Sequence, residues 1–245
     1  MQNASRAQQR LCDRGFDIAV DGDFGPISHA ALISFVGRKR SISRLRLALG
    51  GAMAREFPKV GLERPLRLAH ALGQQSAETG GFGSLVESLN YSVAGLRATF
   101  SRSRISNADV QRLGRKPGER ALSTDRQRQI ANIVYGGSFG RDNLGNTQEG
   151  VGWRYRGRGV KQLTGRYNYT THADTLKLPI VEHPELLEDP LQGVRAACHF
   201  WDSRGCNALA DRDDLNGLTR RINGGTNGLA QRRDAMERAK AILVS

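Results

Sequence analysis

Two glutamates that could together cleave a sugar–sugar bond, Glu78 and Glu87, stand nine positions apart in the sequence. Glu78 ends a predicted helix, and the turn that follows contains Gly80 and Gly81. Hydrolysis of a glycosidic bond needs one carboxyl group to protonate the leaving oxygen and a second to activate water or attack the sugar. Two carboxyl groups brought together across a bend therefore indicate glycosidase chemistry.

The helix that carries Glu78 is predicted over residues 65–79, because a proline suits its first turn and two glycines stop its pattern. Leu68 and Leu72 lie on its inner, apolar stripe. With about 100° of rotation per residue, Glu78 falls on the side of Gln74, away from that stripe. We therefore expect its carboxyl group to lie where a cleft opens.

The rest of the chain shows no repeat and no alternating strand pattern, so the fold is predicted to be mainly α. Thr124 is the expected N-cap of one helix, and residues 136–147 are expected to form an irregular loop. Further helices are predicted at residues 8–15, 28–36, 45–57, 92–100, 109–113, 124–135, 164–176, 191–204, 213–222 and 228–243.

A glycine- and arginine-rich stretch at residues 152–169 contains a Gly-x-Gly sequence. It does not indicate a phosphate-binding loop, because Gln162 occupies the place of the third glycine and no strand–helix–strand unit surrounds it. Thr164 could cap the helix that follows, which explains Thr164 but not the neighbouring polar residues Gln162 and Asn168.

The composition limits the function without choosing it. At 245 residues the chain suits one domain, or one domain with a small module, and its net charge of +13 implies an anionic partner such as nucleic acid, a membrane surface or a cell-envelope polymer. No nucleic-acid recognition motif accompanies the charge. No secretory signal or membrane-spanning run is expected, so we expect a soluble chain made in the cytosol.

The five histidines and three cysteines do not indicate a metal or disulfide scaffold. No two histidines have the close spacing of zinc ligands, which argues against a zinc amidase, and we expect no metal or cofactor. The cysteines are expected to be buried or partly buried thiols, although a Cys198–Cys206 bridge stays open.

Residues 1–38 resemble the small peptidoglycan-binding module of many wall hydrolases, with the boundary at a basic junction after residue 37. The resembling residues are Gln9-Arg10-Leu11, Gly15-Phe16, Val20-Asp21-Gly22-Asp23-Phe24-Gly25-Pro26 and Ala30-Ala31-Leu32-Ile33-Ser34-Phe35. A calcium loop is excluded because Gly25 and Leu32 stand where ligands are needed. The resemblance implies wall binding, for which the candidates are Asp21, Phe24 and Phe35; the alternative is a structural appendage.

Residues 39–245 resemble the family 19 glycoside hydrolases, closest to phage and prophage endolysins with a lysozyme-like helical fold. The matching stretches are Glu78-Thr79-Gly80-Gly81-Phe82, Leu85-Val86-Glu87-Ser88-Leu89-Asn90-Tyr91, Trp153-Arg154-Tyr155-Arg156-Gly157-Arg158-Gly159, Gln162-Leu163-Thr164-Gly165-Arg166, Asn168-Tyr169, His183-Pro184-Glu185-Leu186-Leu187 and Arg220-Arg221-Ile222-Asn223-Gly224-Gly225.

The resemblance implies a role for each matched side chain. Glu78 is the general acid, which should be kept protonated by burial or a neighbouring anion, and Glu87 is the base, more solvated and ionised. Thr164 helps to hold the water. The residues implied in sugar binding are Gln162, Asn168 and Asn223, with Tyr91 and Tyr155 lining the cleft.

The expected function is an endolysin that hydrolyses the β-1,4 bond between N-acetylmuramic acid and N-acetylglucosamine. Such an enzyme would wait as a monomer in the host cytoplasm and reach the wall once the membrane is permeabilised. The nine-residue spacing resembles the endolysins more than plant chitinases, whereas Ala77 departs from the histidine usual before the acid. The alternatives are a chitinase and a non-catalytic glycan-binding protein.

Overall fold

The computed structural model describes residues 3–244 and confirms a mainly helical fold, with 61% helix. Within that range there is no strand, and only isolated bridges such as Val86 with Arg158 pair extended segments. The helices are α1 (Ala4–Asp13), α2 (Pro26–Val36), α3 (Arg44–Glu56), α4 (Pro65–Glu78), α5 (Val93–Thr99), α6 (Asn107–Leu113), α7 (Thr124–Val134), α8 (Gly137–Leu144), α9 (Val151–Arg154), α10 (Arg166–Leu176), α11 (Pro190–Ser203), α12 (Cys206–Ala210), α13 (Leu215–Asn223) and α14 (Leu229–Leu243).

The chain divides into two compact units. The first contains the residues up to Leu85, the short segment Gly159–Lys161 and the residues from Leu187 onward. The second contains Val86–Arg158 and Gln162–Leu186. Glu78 therefore belongs to the first unit and Glu87 to the second.

The N-terminal helices share the core of the first unit. The Pro26 carbonyl of α2 comes so near α3 that a Cβ on Gly50 would lie 2.3 Å from its oxygen. Leu32 and Ile33 are fully buried in the same apolar cluster as Leu49. The described residues up to Arg38 thus share the apolar core of the first unit, and both the domain boundary and the wall-binding role stay predictions.

A close helix pair, α4 with α14, organises the first unit around Glu78. A Cβ on Gly73 would lie 2.8 Å from the Met236 Cβ and 2.9 Å from the Arg232 carbonyl oxygen. Only a residue without a side chain permits this approach. It brings the start of α14 alongside the end of α4.

The second unit has its own apolar core. Helices α5, α6 and α7 surround it, and its members include Leu89, Leu96, Val110 and Ile130, all fully buried. The extended segment that contains Glu87 leads directly into this core at Leu89. The base candidate is therefore anchored two residues from a buried side chain.

Two local predictions were wrong, and one open alternative is excluded. Residues 136–147 are mostly helix α8, which the sequence hides because Gly140 is its one buried residue. Ser123, not Thr124, caps α7, since its side chain accepts from the Arg126 N–H. Gly165 rather than Thr164 occupies the N-cap of α10.

Two further expectations concern cysteines and membranes. Cys12, Cys198 and Cys206 are free, so the open possibility of a Cys198–Cys206 bridge is not realised. Burial raises the pKa of the Cys198 thiol to about 12. Over residues 3–244, every helix is too short or too polar to cross a bilayer.

Candidate active site

Glu78 is the last residue of α4, at a bend built from left-handed backbone. Gly80, Gly81 and Phe82 all have positive φ, at 57°, 74° and 58°. The Thr79 hydroxyl fixes the bend, because it donates to the Gln75 carbonyl and accepts from the Phe82 N–H at 2.9 Å. Phe82 has no exposed surface, and its burial offsets the strain of a non-glycine residue in this region.

A buried arginine holds the Glu78 carboxylate. The Arg232 Nη2 donates to Glu78 Oε1 at 2.7 Å, and Nη1 donates to Gln74 Oε1 at 2.8 Å. Gln74 and Glu78 are one helical turn apart, so both face α14. Gln74 in turn donates to the Thr219 hydroxyl at 3.0 Å. The placement of Glu78 on the Gln74 side, away from the apolar stripe, is confirmed.

A small cavity of about 20 Å³ lies beside Glu78, walled by Lys161, Phe200 and Trp201 among others. The Lys161 ammonium sits 4.6 Å from the centre of the Phe200 ring. Burial lowers the pKa of Lys161, and the charge of Glu78 opposes that effect. Gln75 also lines the cavity, and its buried Oε1 has no hydrogen-bond partner among the described residues.

Glu87 is held by two donors of the second unit. The Tyr135 hydroxyl donates to Oε1 at 2.5 Å, and the Gly157 N–H donates to Oε2 at 3.1 Å. The backbone is paired as well, since the Glu87 N–H donates to the Gly157 carbonyl at 2.9 Å. Burial raises the pKa of Glu87, while the two donors and the charges of Arg156 and Arg104 act in the opposite direction.

The structure reverses the environments that the sequence analysis expected for the two carboxyl groups. Glu87, expected to be solvated and ionised, is the one whose pKa burial raises. Glu78, expected beside an anion or in an apolar pocket, has the guanidinium of Arg232 as its ion-pair partner. The sequence could not indicate this, because Arg232 and Tyr135 lie far along the chain from the glutamates that they contact.

Three of the predicted residues form a short polar series beside Glu87. A Cβ on Gly157 would lie 2.8 Å from Gln162 Oε1 and 3.3 Å from Glu87 Oε2, so both side chains border the same space. The Thr164 hydroxyl donates to the Gln162 carbonyl at 3.0 Å, and Asn168 Nδ2 donates to the Thr164 carbonyl at 2.7 Å. All three side chains are partly exposed.

The other predicted sugar-binding residues are more scattered. Tyr91 is partly exposed, and burial raises the pKa of its hydroxyl to about 12. Tyr155 is 4% exposed and lies beside the Tyr169 ring, and its hydroxyl donates to the Val181 carbonyl at 3.1 Å, so it is buried within the second unit. Its expected place in the wall of the cleft stays a prediction. Asn223 belongs to the first unit and is exposed at the end of α13.

The wall-binding candidates lie on a well-braced turn. Asp21 accepts from Gln8 Nε2 at 2.7 Å, and this bond is the main reason why its pKa is lowered. Phe24 is 7% exposed and packs edge-on against His29, at the edge of a depression of about 380 Å³. Phe35 is partly buried beneath the guanidinium of Arg14. Asp21 and Phe24 are therefore structural elements of the turn, whatever they bind.

Sequence reasoning missed Arg232, Tyr135 and Lys161. Lys161 had a signal, since it stands inside the motif that contains Gln162. Tyr135 and Arg232 gave none, because each looks like an ordinary helix residue. Among the described residues, no group of three histidine, cysteine or acidic side chains could hold a metal ion.

Comparisons with known proteins relate the chain to glycoside hydrolases. It is 34% identical over 182 residues to a glycosyl hydrolase family 19 domain-containing protein of Haemophilus influenzae, an alignment that covers 74% of this chain and 82% of that protein. It is 44% identical over 61 residues to an acidic endochitinase of Populus trichocarpa, covering 24% of this chain and 18% of that protein. No protein-family model matches the chain.

Among solved structures, chitinase C of Streptomyces griseus has a similar fold. The TM-score is 0.54 at 19% identity, with 91% of this chain and 95% of that chain covered. At this identity the likeness concerns the fold alone. It agrees with the chitinase- and lysozyme-like helical architecture expected from the sequence.

Proposed function

This chain belongs to glycosyl hydrolase family 19, and we propose that it is a muramidase, hydrolysing the β-1,4 bond between N-acetylmuramic acid and N-acetylglucosamine. The observation that carries the proposal is the setting of Glu87. Two donors fix its carboxyl group, and Gln162, Thr164 and Asn168 are arranged beside it.

In this proposal Glu87 is the general base. A base works best when its pKa lies near the working pH, and burial moves the pKa of Glu87 upward toward neutrality. Tyr135 and the Gly157 N–H fix the direction of its lone pairs. A water molecule gives its proton to Glu87 as its oxygen bonds to the anomeric carbon.

Glu78 is the general acid, and its proton passes to the oxygen of the departing sugar as the glycosidic bond breaks. In the protonated carboxyl group Oε1 still accepts from Arg232 Nη2, which orients the group, and the proton that is transferred is on Oε2. Thr164 holds the water, while Gln162 and Asn168 bind the N-acetyl and hydroxyl groups of the sugar. The attack comes from the face opposite the leaving group, so the product has inverted configuration.

Peptidoglycan rather than chitin is proposed as the substrate because of charge. Peptidoglycan and the envelope around it are anionic, whereas chitin is neutral, and the chain has a net charge of +13. The wall-binding role of residues 1–38 and the release of the enzyme from a phage host belong to the same proposal. A chitinase is the second candidate, favoured by the endochitinase relative.

The test is to incubate purified Gram-negative peptidoglycan, and separately chitin oligomers, with wild type and with Glu78→Gln, and to identify soluble products by mass spectrometry. Muropeptides with reducing N-acetylmuramic acid, absent with the variant, are the expected result. Reducing N-acetylglucosamine ends would mean that the other bond is cut. Products from chitin alone would favour the chitinase.

A further inference from the structure

A basic pocket in the second unit has no part in the catalytic scheme above. It is a surface cavity of about 530 Å³ at the start of α5. Its charged lining is Arg97, Arg115, Lys116 and Glu119. We propose that this pocket binds the carboxylates of the peptidoglycan stem peptide, an inference that rests on the proposed function and extends it to the substrate's peptide part.

The charge balance of the pocket favours an anion. Three cations line it against one carboxylate, and that carboxylate already has a partner. Glu119 accepts from Arg126 at 2.7 Å and from the Lys116 N–H at 2.6 Å. The bond from Arg126 is the main cause of the lowered pKa of Glu119. The pocket therefore presents an excess of positive charge that Glu119 does not neutralise.

The cations differ in how firmly they are placed. The Arg115 backbone is held in place by two contacts. Its N–H donates to the Tyr91 carbonyl at 2.9 Å, and Arg115 forms an isolated β-bridge with Ser92. One guanidinium nitrogen donates to the Arg120 carbonyl at 2.8 Å, which fixes the plane of the fork and leaves further N–H donors. Arg97 is exposed on the α5 face that lines the cavity.

The far wall of the pocket is a tight turn at Lys116-Pro117-Gly118-Glu119. The Glu119 N–H donates to the Lys116 carbonyl at 3.1 Å, and Gly118 has a φ of 87°. Proline second and a positive-φ glycine third are the composition of a type II turn. Nearby, a Cβ on Gly114 would lie 2.7 Å from the Val93 Cα, so the two walls approach closely. Backbone contacts thus shape the walls of the pocket, and the side chains of Arg97, Arg115 and Lys116 supply its charge.

The pocket lies within reach of a group attached to the sugar whose bond would be cut. Ser92 follows Glu87 by five residues, so their Cα atoms are at most about 18 Å apart even in a fully extended chain. A stem peptide of a few residues has the same reach, and it branches from the N-acetylmuramic acid whose bond would be cut. Its free carboxylates suit the bidentate geometry of arginine. Chitin has neither peptide nor carboxylate.

The experiment compares sacculi that retain stem peptides with the same sacculi after an amidase has removed them. Release of reducing ends is measured for wild type, for Arg97→Gln/Lys116→Gln, and for a matched control, Arg141→Gln/Lys177→Gln, which removes two cations elsewhere in the same unit. We expect wild type and control to show a KM roughly fivefold lower on the peptide-bearing substrate. The pocket variant should lose this preference and keep its kcat on the stripped glycan.

The outcomes separate the two proposals. If neither substrate is cleaved by wild type, the proposed function fails. If both are cleaved equally by wild type, or if the pocket variant keeps the preference, the stem-peptide site is wrong while the muramidase stands. If the variant loses affinity for a DNA oligonucleotide but not its preference for peptide-bearing sacculi, the pocket is a phosphate site. Thermal unfolding of all three proteins checks that they fold alike.

Discussion

At the scale of single residues, the Tyr135 hydroxyl bears most directly on the chemistry of Glu87. Its hydrogen bond stabilises the ionised carboxylate, against the burial that raises the pKa. In Tyr135→Phe the pKa of Glu87 should rise further. Because a base must be ionised to act, activity falls as the pH drops through its pKa, so the acidic limb of the kcat profile should move upward by about one pH unit.

The matched control for that measurement is Tyr91→Phe. Tyr91 is near enough to Glu87 for its own pKa to be raised partly by that charge, but no described hydrogen bond joins them. In Tyr91→Phe the acidic limb of the kcat profile should stay within a few tenths of a pH unit of the wild-type limb. Equal profiles for Tyr135→Phe and wild type would remove Glu87 from the role of base.

The ionised carboxylate of Glu87 should also lower the stability of the folded protein at neutral pH. Its folded pKa lies above the unfolded value, so its contribution is most favourable below the unfolded pKa of about 4.3 and is lost as the pH rises through the folded pKa. Glu87→Gln keeps both contacts, because an amide oxygen can accept from Gly157 and its NH₂ can donate to the Tyr135 oxygen.

This substitution should therefore abolish activity and raise the melting temperature at pH 7. The gain should shrink as the pH is lowered and disappear near pH 4, where the wild-type carboxyl is already neutral. Calorimetry at a series of pH values measures it. A variant less stable than wild type at pH 7 would show that the ionised carboxylate is well accommodated.

At the scale of the elements, the contact between α4 and α14 should depend on Gly73. Gly73→Ala places a Cβ 2.8 Å from the Met236 Cβ and 2.9 Å from a backbone oxygen, and backbone cannot yield easily. Overpacking of about 1–3 kcal/mol should exceed the ~1 kcal/mol that alanine gains in a helix. Since Arg232 lies at the same contact, kcat should fall together with stability.

Gly51→Ala is the matched control, because Gly51 is also inside a helix and a Cβ there has no heavy atom within 4 Å. It should stabilise the protein by about 0.5–1 kcal/mol and leave activity unchanged. Urea unfolding of the two variants measures both changes in the free energy of unfolding, a decrease for Gly73→Ala and an increase for Gly51→Ala. A neutral Gly73→Ala would mean that α14 can shift without loss.

The elements also show what a single sequence can and cannot predict. Helix α4 follows from apolar periodicity with a proline at the first turn, and the bounds of both α4 and α11 agree with the predicted ones within one residue. Helix α8 escaped because it buries one glycine and presents no apolar stripe. The residue pattern of a segment predicts the secondary structure of that segment. Contacts such as that of Arg232 with Glu78 depend on how helices distant in sequence pack.

The same limit explains the wrong environments of the two glutamates. Their positions follow from motif spacing, which is local. Their charges and donors come from Tyr135 and Arg232, 48 and 154 residues away in sequence. No periodicity reports such a pairing, so motif matching places the residues and leaves their protonation behaviour open.

At the scale of the whole molecule, the excess of 37 lysines and arginines over 24 acidic residues should govern adsorption to the wall. Attraction between exposed charges is screened over about 8 Å at 0.15 M salt and about 3 Å at 1 M. Sedimentation of the protein with sacculi should therefore fall steeply between 0.05 and about 0.5 M sodium chloride. Hydrolysis of a short neutral chitin oligomer should change little over the same range.

This comparison separates adsorption from catalysis, because Glu87 is partly buried between two buried donors and its charge is screened by salt less than the charges on the surface. Lysis of sacculi should follow the adsorption curve, with KM rising and kcat nearly constant. A different result would be that kcat on sacculi falls with salt while the amount of protein that sediments with sacculi stays constant. The net charge would then affect the chemistry at the active site and not the adsorption to the envelope. The wall would then have to be held by contacts other than the basic surface, such as those in the depression beside Phe24 and His29.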